Sequence, residues 1–234
     1  MKTTITSILV AHLTITSAFA AAFQNGSFES NAGEDSFSAV GWNSTLGTIN
    51  YSGLEGTTQG VFGAVFNRHV VSNGDVLSQT FDTVSGRLYT MLFDWGQYSP
   101  FNVNPAQRLQ IEVRDGTTSN ELITFGSGAA SLSGTTSGVV IEQNTNVFTV
   151  SDSNPSTAIN STSPNAEFST FSFTFIAQSS SSKLSFTDLA TGDISSSDSV
   201  MDNVRVVPEP SSFSLLILSI FALCGGRHMR VKVA

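Results

Sequence analysis

Few residues of this chain are of a kind that does chemistry, and the densest group is Asp94-Trp95-Gly96-Gln97-Tyr98. It sets a carboxylate, an indole, an amide and a phenol close together. Sugar recognition uses that set, with rings lying against C–H faces and polar ends bonding hydroxyls in a groove. Trp95, Tyr98, Asp94 and Gln97 are therefore the candidate ligand-binding residues. Trp42 and Tyr51 also lie in or beside loop-like sequence.

Catalysis finds less to work with. His69 is the one histidine between residues 23 and 207, so any Ser-His-Asp arrangement there must use it. It sits in Asn67-Arg68-His69-Val70, and the chain has no Gly-x-Ser-x-Gly nucleophile turn. Glu112 and Glu142 are a conceivable glycosidase pair, but the alternation around Glu112 turns it to solvent. The single cysteine, Cys224, rules out an internal disulfide framework and a cysteine-based zinc site.

The elements that must position these residues read as strands. Arg108-Leu-Gln-Ile-Glu-Val-Arg114 alternates apolar and polar at every step, the period-2 mark of a half-buried strand. Phe171–Phe175 and Leu184–Thr187 repeat it, and Leu88–Phe93 is apolar on both faces, as a central strand covered twice would be. Val61–Phe66, Val76–Phe81, Val147–Val150, Val200–Val206 and a strand opening at Leu122 and Ile123 complete the set. Asp115-Gly116, Asn73-Gly74 and Ser85-Gly86 mark turns. Ser127–Ser137 and Ser151–Pro164 read as polar loops. No helical period runs through residues 23–207, so the expected fold is all-β: two antiparallel sheets packed as a β-sandwich, a jelly roll. Phenylalanine, 15 of the chain's 18 lying in residues 23–207, supplies its core.

The two ends differ from this body. Lys2, the apolar stretch Ile5–Phe19 and the small-x-small patterns Ala18-Phe19-Ala20 and Ala20-Ala21-Ala22 read as a signal peptide over residues 1–22. At the other end, residues 208–234, Phe213–Cys224 is an apolar run without a polar face, followed by Arg227, Arg230 and Lys232. It reads as a hydrophobic anchor helix, short for a bilayer span but with a cationic end that can snorkel. The 234 residues carry a net charge of −8, yet residues 23–207 hold six basic against 17 acidic residues, a net −11. Such a body lacks the basic face that nucleic acid requires.

Two resemblances emerge from these residues. Val207-Pro208-Glu209-Pro210-Ser211-Ser212, the apolar run and the basic end, in that order, resemble the PEP-CTERM sorting signal of exported bacterial proteins. That resemblance implies recognition near Pro208, Glu209 and Pro210 by an exosortase-type membrane peptidase. It also implies transient membrane anchoring through the C-terminal segment and delivery to the cell surface or extracellular matrix. Within the body, Asn25-Gly26-Ser27-Phe28-Glu29, Gly41-Trp42, Leu77–Phe81, Gly86-Arg-Leu-Tyr89 and Met201-Asp202-Asn203-Val204 resemble galactose-binding-like jelly rolls, the fold of many carbohydrate-binding modules. This second resemblance implies polysaccharide as partner and a structural calcium ion (Ca²⁺) held with the help of Glu29 and Asp202. The expectation is an exported, non-enzymatic surface protein binding extracellular polysaccharide. The alternatives are a secreted glycan-active enzyme and a purely structural matrix component.

Overall fold

A computed structural model of the chain describes residues 23–34, 36–53, 56–66, 74–98, 107–117, 120–123, 131–133, 139–143, 147–152, 168–190 and 198–209. The expected signal peptide, Pro210 with the anchor segment, and His69 lie outside the described residues.

Twelve strands follow in chain order: β1 (Asn43–Ser44), β2 (Asn50–Ser52), β3 (Gly63–Phe66), β4 (Val76–Asp82), β5 (Leu88–Tyr98), β6 (Gln107–Asp115), β7 (Ser131–Ser133), β8 (Val139–Gln143), β9 (Val147–Asp152), β10 (Ser169–Ile176), β11 (Ser181–Asp188) and β12 (Asp198–Pro208). They form two six-stranded sheets, β1-β4-β11-β6-β9-β8 and β2-β3-β12-β5-β10-β7, with antiparallel pairing throughout. From β4 to β7, and again from β9 to β12, the chain crosses from one sheet to the other at every step. The all-β two-sheet sandwich expected from the alternation is the fold observed, with the strand crossing of a jelly roll.

Phenylalanine closes the two layers on each other. Phe171, Phe173 and Phe175 point inward from β10, each fully buried, while Thr170, Ser172 and Thr174 point outward. Phe93 of β5 meets Phe186 of β11 edge-on at 5.2 Å, and Phe148 of β9 lies 4.0 Å from Phe173, so rings bridge the sheets. Full burial of one such ring is worth about 1.5–3 kcal/mol.

The structure departs from the sequence reading at particular places. Val61 and Phe62 do not join β3, because their N–H groups donate to Glu29 instead of a strand partner. Leu122 makes only an isolated bridge with Arg114. The serine-rich stretch read as a loop at 127–137 contributes β7, and β8 escaped notice. Leu88–Phe93 is central, as expected, but it is not covered twice: Leu88 stands exposed on the outer face. β12 runs past the boundary expected at Val207, to Pro208 opposite Tyr89.

Candidate functional site

β12 is interrupted between Asp202 and Arg205 by a shift in register against β5. Asn203 makes the irregularity with a left-handed backbone, φ 52°, which asparagine tolerates better than most residues. Its N–H donates to Asp202 Oδ1 at 2.6 Å and its Nδ2 to Asp94 Oδ2 at 3.0 Å. The two carboxylates are direct neighbours across β12 and β5, and both are buried. Thr58 Oγ1 donates to Asp94 Oδ2 at 2.6 Å and approaches Asp202 Oδ2 at 3.2 Å. Thr170 Oγ1, on β10, donates to Asp94 Oδ1 at 2.6 Å. Burial pushes the Asp202 carboxyl up to about 6, although hydrogen bonds from the N–H groups of Gln59, Thr58 and Asn203 pull against it.

Asp202 and Glu29 act on one loop. Asp202 Oδ2 accepts the N–H groups of Thr58 and Gln59, both at 2.7 Å. Glu29 Oε1 accepts those of Val61 and Phe62, at 2.9 and 2.8 Å. The two residues expected to share a calcium ion are therefore brought to the same segment. Their donor set does not fit the ion, however. Ca²⁺ needs 6–8 oxygen ligands, whereas Asp202 faces inward-pointing N–H dipoles on both oxygens. Among the described residues no group of three or more acidic, histidine or cysteine side chains gathers anywhere. Asp202 bonds backbone amides through both oxygens and Glu29 through Oε1.

The proposed sugar cluster is divided by the pleat. Trp95 and Gln97 point into the sandwich and are buried. The Trp95 ring lies edge-on to Phe171 at 6.2 Å and its Nε1–H donates to Ser199 Oγ at 2.5 Å, so it has no face to offer a ligand. Period-2 alternation alone placed them there, since Phe93 is a core residue two positions before Trp95. Asp94 points to the outer face. Tyr98 pairs in register with Asp198, and its side chain lies outside the described residues. Trp42 and Tyr51 are core residues as well.

What the sequence reading missed is the outer face of the second sheet. β5 and β10 pair Thr90 with Thr174, Leu92 with Ser172 and Asp94 with Thr170, all six facing away from the core. Thr90, Leu92, Thr170, Ser172 and Thr174 are each half-buried. Arg205 of β12 stands exposed beside Leu92. From Thr90 to Asp94 this shelf extends about 13 Å along the strand. Its signal was present in Phe171-Ser-Phe-Thr-Phe175, whose polar members were passed over for their phenylalanines.

Elsewhere, carboxylates serve the fold. Asp75 is buried and accepts from the side chains of Ser44, Thr45 and Thr48 at 2.5–2.9 Å. It also takes the N–H groups of Leu46, Thr48 and Val76 at 2.8–2.9 Å. Burial disfavours its charge, but these donors outweigh burial and hold the carboxyl well below the usual carboxylate range. Glu112 bonds Arg114 Nε at 3.0 Å, and Glu142 pairs with Arg108 at 3.6 Å, with β9 between them. Glu209 is held by β5: its N–H donates to the Leu88 carbonyl at 3.0 Å, Thr90 Oγ1 donates to its carboxylate, and Arg87 Nη2 reaches its carbonyl at 3.4 Å.

No family model matches the chain, and no curated protein matches it in sequence. Among solved structures it is similar to a family 61 carbohydrate-binding module in complex with β-1,4-galactotriose, with a TM-score of 0.47 and 12% identity over 81% of this chain and 99% of that one. A family 4 module gives a TM-score of 0.42 at 15% identity, over 79% and 98% of the two chains. The first family 22 xylan-binding domain of Xyn10C from Paenibacillus barcinonensis gives 0.38 at 14%, over 82% and 94%.

Proposed function

We propose that this chain is an exported bacterial protein of the cell surface or extracellular matrix that binds polysaccharide without transforming it. The observation that carries the reading is the outward shelf of β5 and β10. Three cross-strand pairs set hydroxyls around the aliphatic Leu92, with Asp94 at one end. A glycan presents the complement, hydroxyl groups alternating with C–H faces. The shelf holds one carboxylate and one bordering arginine within a body of net −11, which favours a neutral glycan over an acidic one. Non-catalytic binding is the better reading because Glu112 and Glu142 lie on the sheet opposite the shelf, each occupied with an arginine of that same sheet.

In this reading an exosortase-type peptidase sorts the protein near Pro208-Glu209-Pro210, after transient anchoring by residues 210–234. Because Glu209 is bonded to β5, the bond cut lies beyond Glu209, or the end of β12 must first lift. Incubating the protein with neutral polysaccharides should give saturable binding and no product. Shortened chains or new reducing ends would overturn the non-enzymatic reading. Deleting residues 210–234 should release folded protein to the medium, and continued surface retention would contradict the anchor.

A further inference from the structure

Eight large apolar side chains stand exposed among the described residues, and four of them gather at one end of the sandwich. Leu88 and Ile176 are direct cross-strand partners on the outer face, 39% and 53% exposed. Val207, 47% exposed, stands on the neighbouring strand opposite Thr90, and Val84, 42% exposed, lies in the turn leading into Leu88. A clustered group of exposed aliphatic side chains of this kind marks a contact surface. The chain leaves the body at this same place, since the Glu209 N–H is bonded to the Leu88 carbonyl. Phe213, where the apolar run begins, follows four residues later, within at most about 14 Å.

We propose that this end of the sandwich, formed by Val84, Leu88, Ile176 and Val207, is a seat for the lipid bilayer while the protein is anchored. The inference rests on the membrane insertion of Phe213–Cys224 proposed above. Once that run enters the bilayer, the fixed position of Glu209 leaves too little chain for any other face to meet the lipid. Arg87, exposed at the rim, is a cation of the sort that reaches headgroup phosphates. The seat is weak by itself and is occupied because the tether holds it at high effective concentration. The net −11 of the body gives it no attraction to anionic lipid, so apolar contact with a zwitterionic surface drives the seating. The hydroxyl shelf begins one cross-strand row away, at Thr90 and Thr174, so seating places it beside the membrane.

The test uses the full chain with Cys224→Ser and, in turn, Leu88→Cys, Ile176→Cys or Leu46→Cys. Leu46 is exposed at the opposite end, beside Asp75 and the start of β4. Each protein is labelled with a polarity-sensitive dye and added to phosphatidylcholine vesicles, and flotation and iodide quenching are read together. The expected result is flotation with a several-fold fall in quenching at positions 88 and 176 and none at 46. Flotation with all three positions equally quenched overturns the seat and leaves the anchor standing. Protection at 88 and 176 before vesicles are added shows that residues 210–234 themselves cover the patch, and overturns the bilayer as occupant. Failure to float overturns the anchor and the seat with it.

Discussion

Asp94 and Asp202 are buried neighbours across β5 and β12 that share the hydroxyl of Thr58, at 2.6 and 3.2 Å. Burial, against the hydrogen bonds from Gln59, Thr58 and Asn203, pushes the Asp202 carboxyl up to about 6. A carboxyl raised in the folded state adds stability that is full below its unfolded value, near 3.8, and is lost as pH rises through about 6. Thermal unfolding should therefore shift upward between pH 7.5 and pH 5. Asp202→Asn should flatten that rise, which is worth about 1.4 kcal/mol over this interval. An unchanged pH profile in the variant would remove Asp202 as its source.

Asp75 carries the opposite sign. Its folded carboxyl lies below the usual range, so its contribution is present above the unfolded value and falls away as pH drops toward the folded one. Asp75→Asn would strand several donors of the 44–48 loop and should cost at least about 3 kcal/mol in denaturant unfolding. A loss under 1 kcal/mol would mean that this loop finds other partners.

Glu29 holds the 58–62 loop locally. Glu29→Gln should speed hydrogen exchange at the amides of Val61 and Phe62 by about tenfold, with little change in the global melting temperature. Chelating divalent ions should change neither quantity. A fall in melting temperature on chelation would restore the calcium reading for Glu29 and Asp202.

Gly26 touches the last strand so closely that a Cβ there would lie 1.8 Å from the Val204 carbonyl oxygen. Val204 in turn donates its N–H to the Gly26 carbonyl at 2.8 Å. Gly26→Ala should cost about 2–3 kcal/mol. A neutral effect would mean that the N-terminal segment is only loosely joined to β12.

The sandwich was legible because Arg108–Arg114 in β6 and Thr170–Phe175 in β10 alternate without a break, and burial follows the alternation there. Asn25-Gly26-Ser27-Phe28-Glu29 was legible as a motif but not in its roles. The Asn25 side chain bonds the carbonyls of Ser30 and Val40, Phe28 fills core, and Glu29 holds a loop distant in sequence. Trp95 misled because proximity along a strand is not proximity on a face. Asp94 and Trp95 are adjacent, and the pleat sends one out and the other in. The Asp94–Asp202 pair could not be read at all, since strand pairing across 108 positions of sequence brings it together.

The hydroxyl shelf is tested most directly by affinity electrophoresis through gels cast with neutral and acidic polysaccharides, comparing the protein with a Ser172→Arg variant that fills the shelf beside Leu92. Ser172 is half-buried on the outer face, so the variant should fold and melt as the parent does. The predicted result is retardation by at least one neutral polysaccharide, lost in the variant. Retardation that survives Ser172→Arg, or free migration of the parent through every gel, would contradict polysaccharide binding at this face.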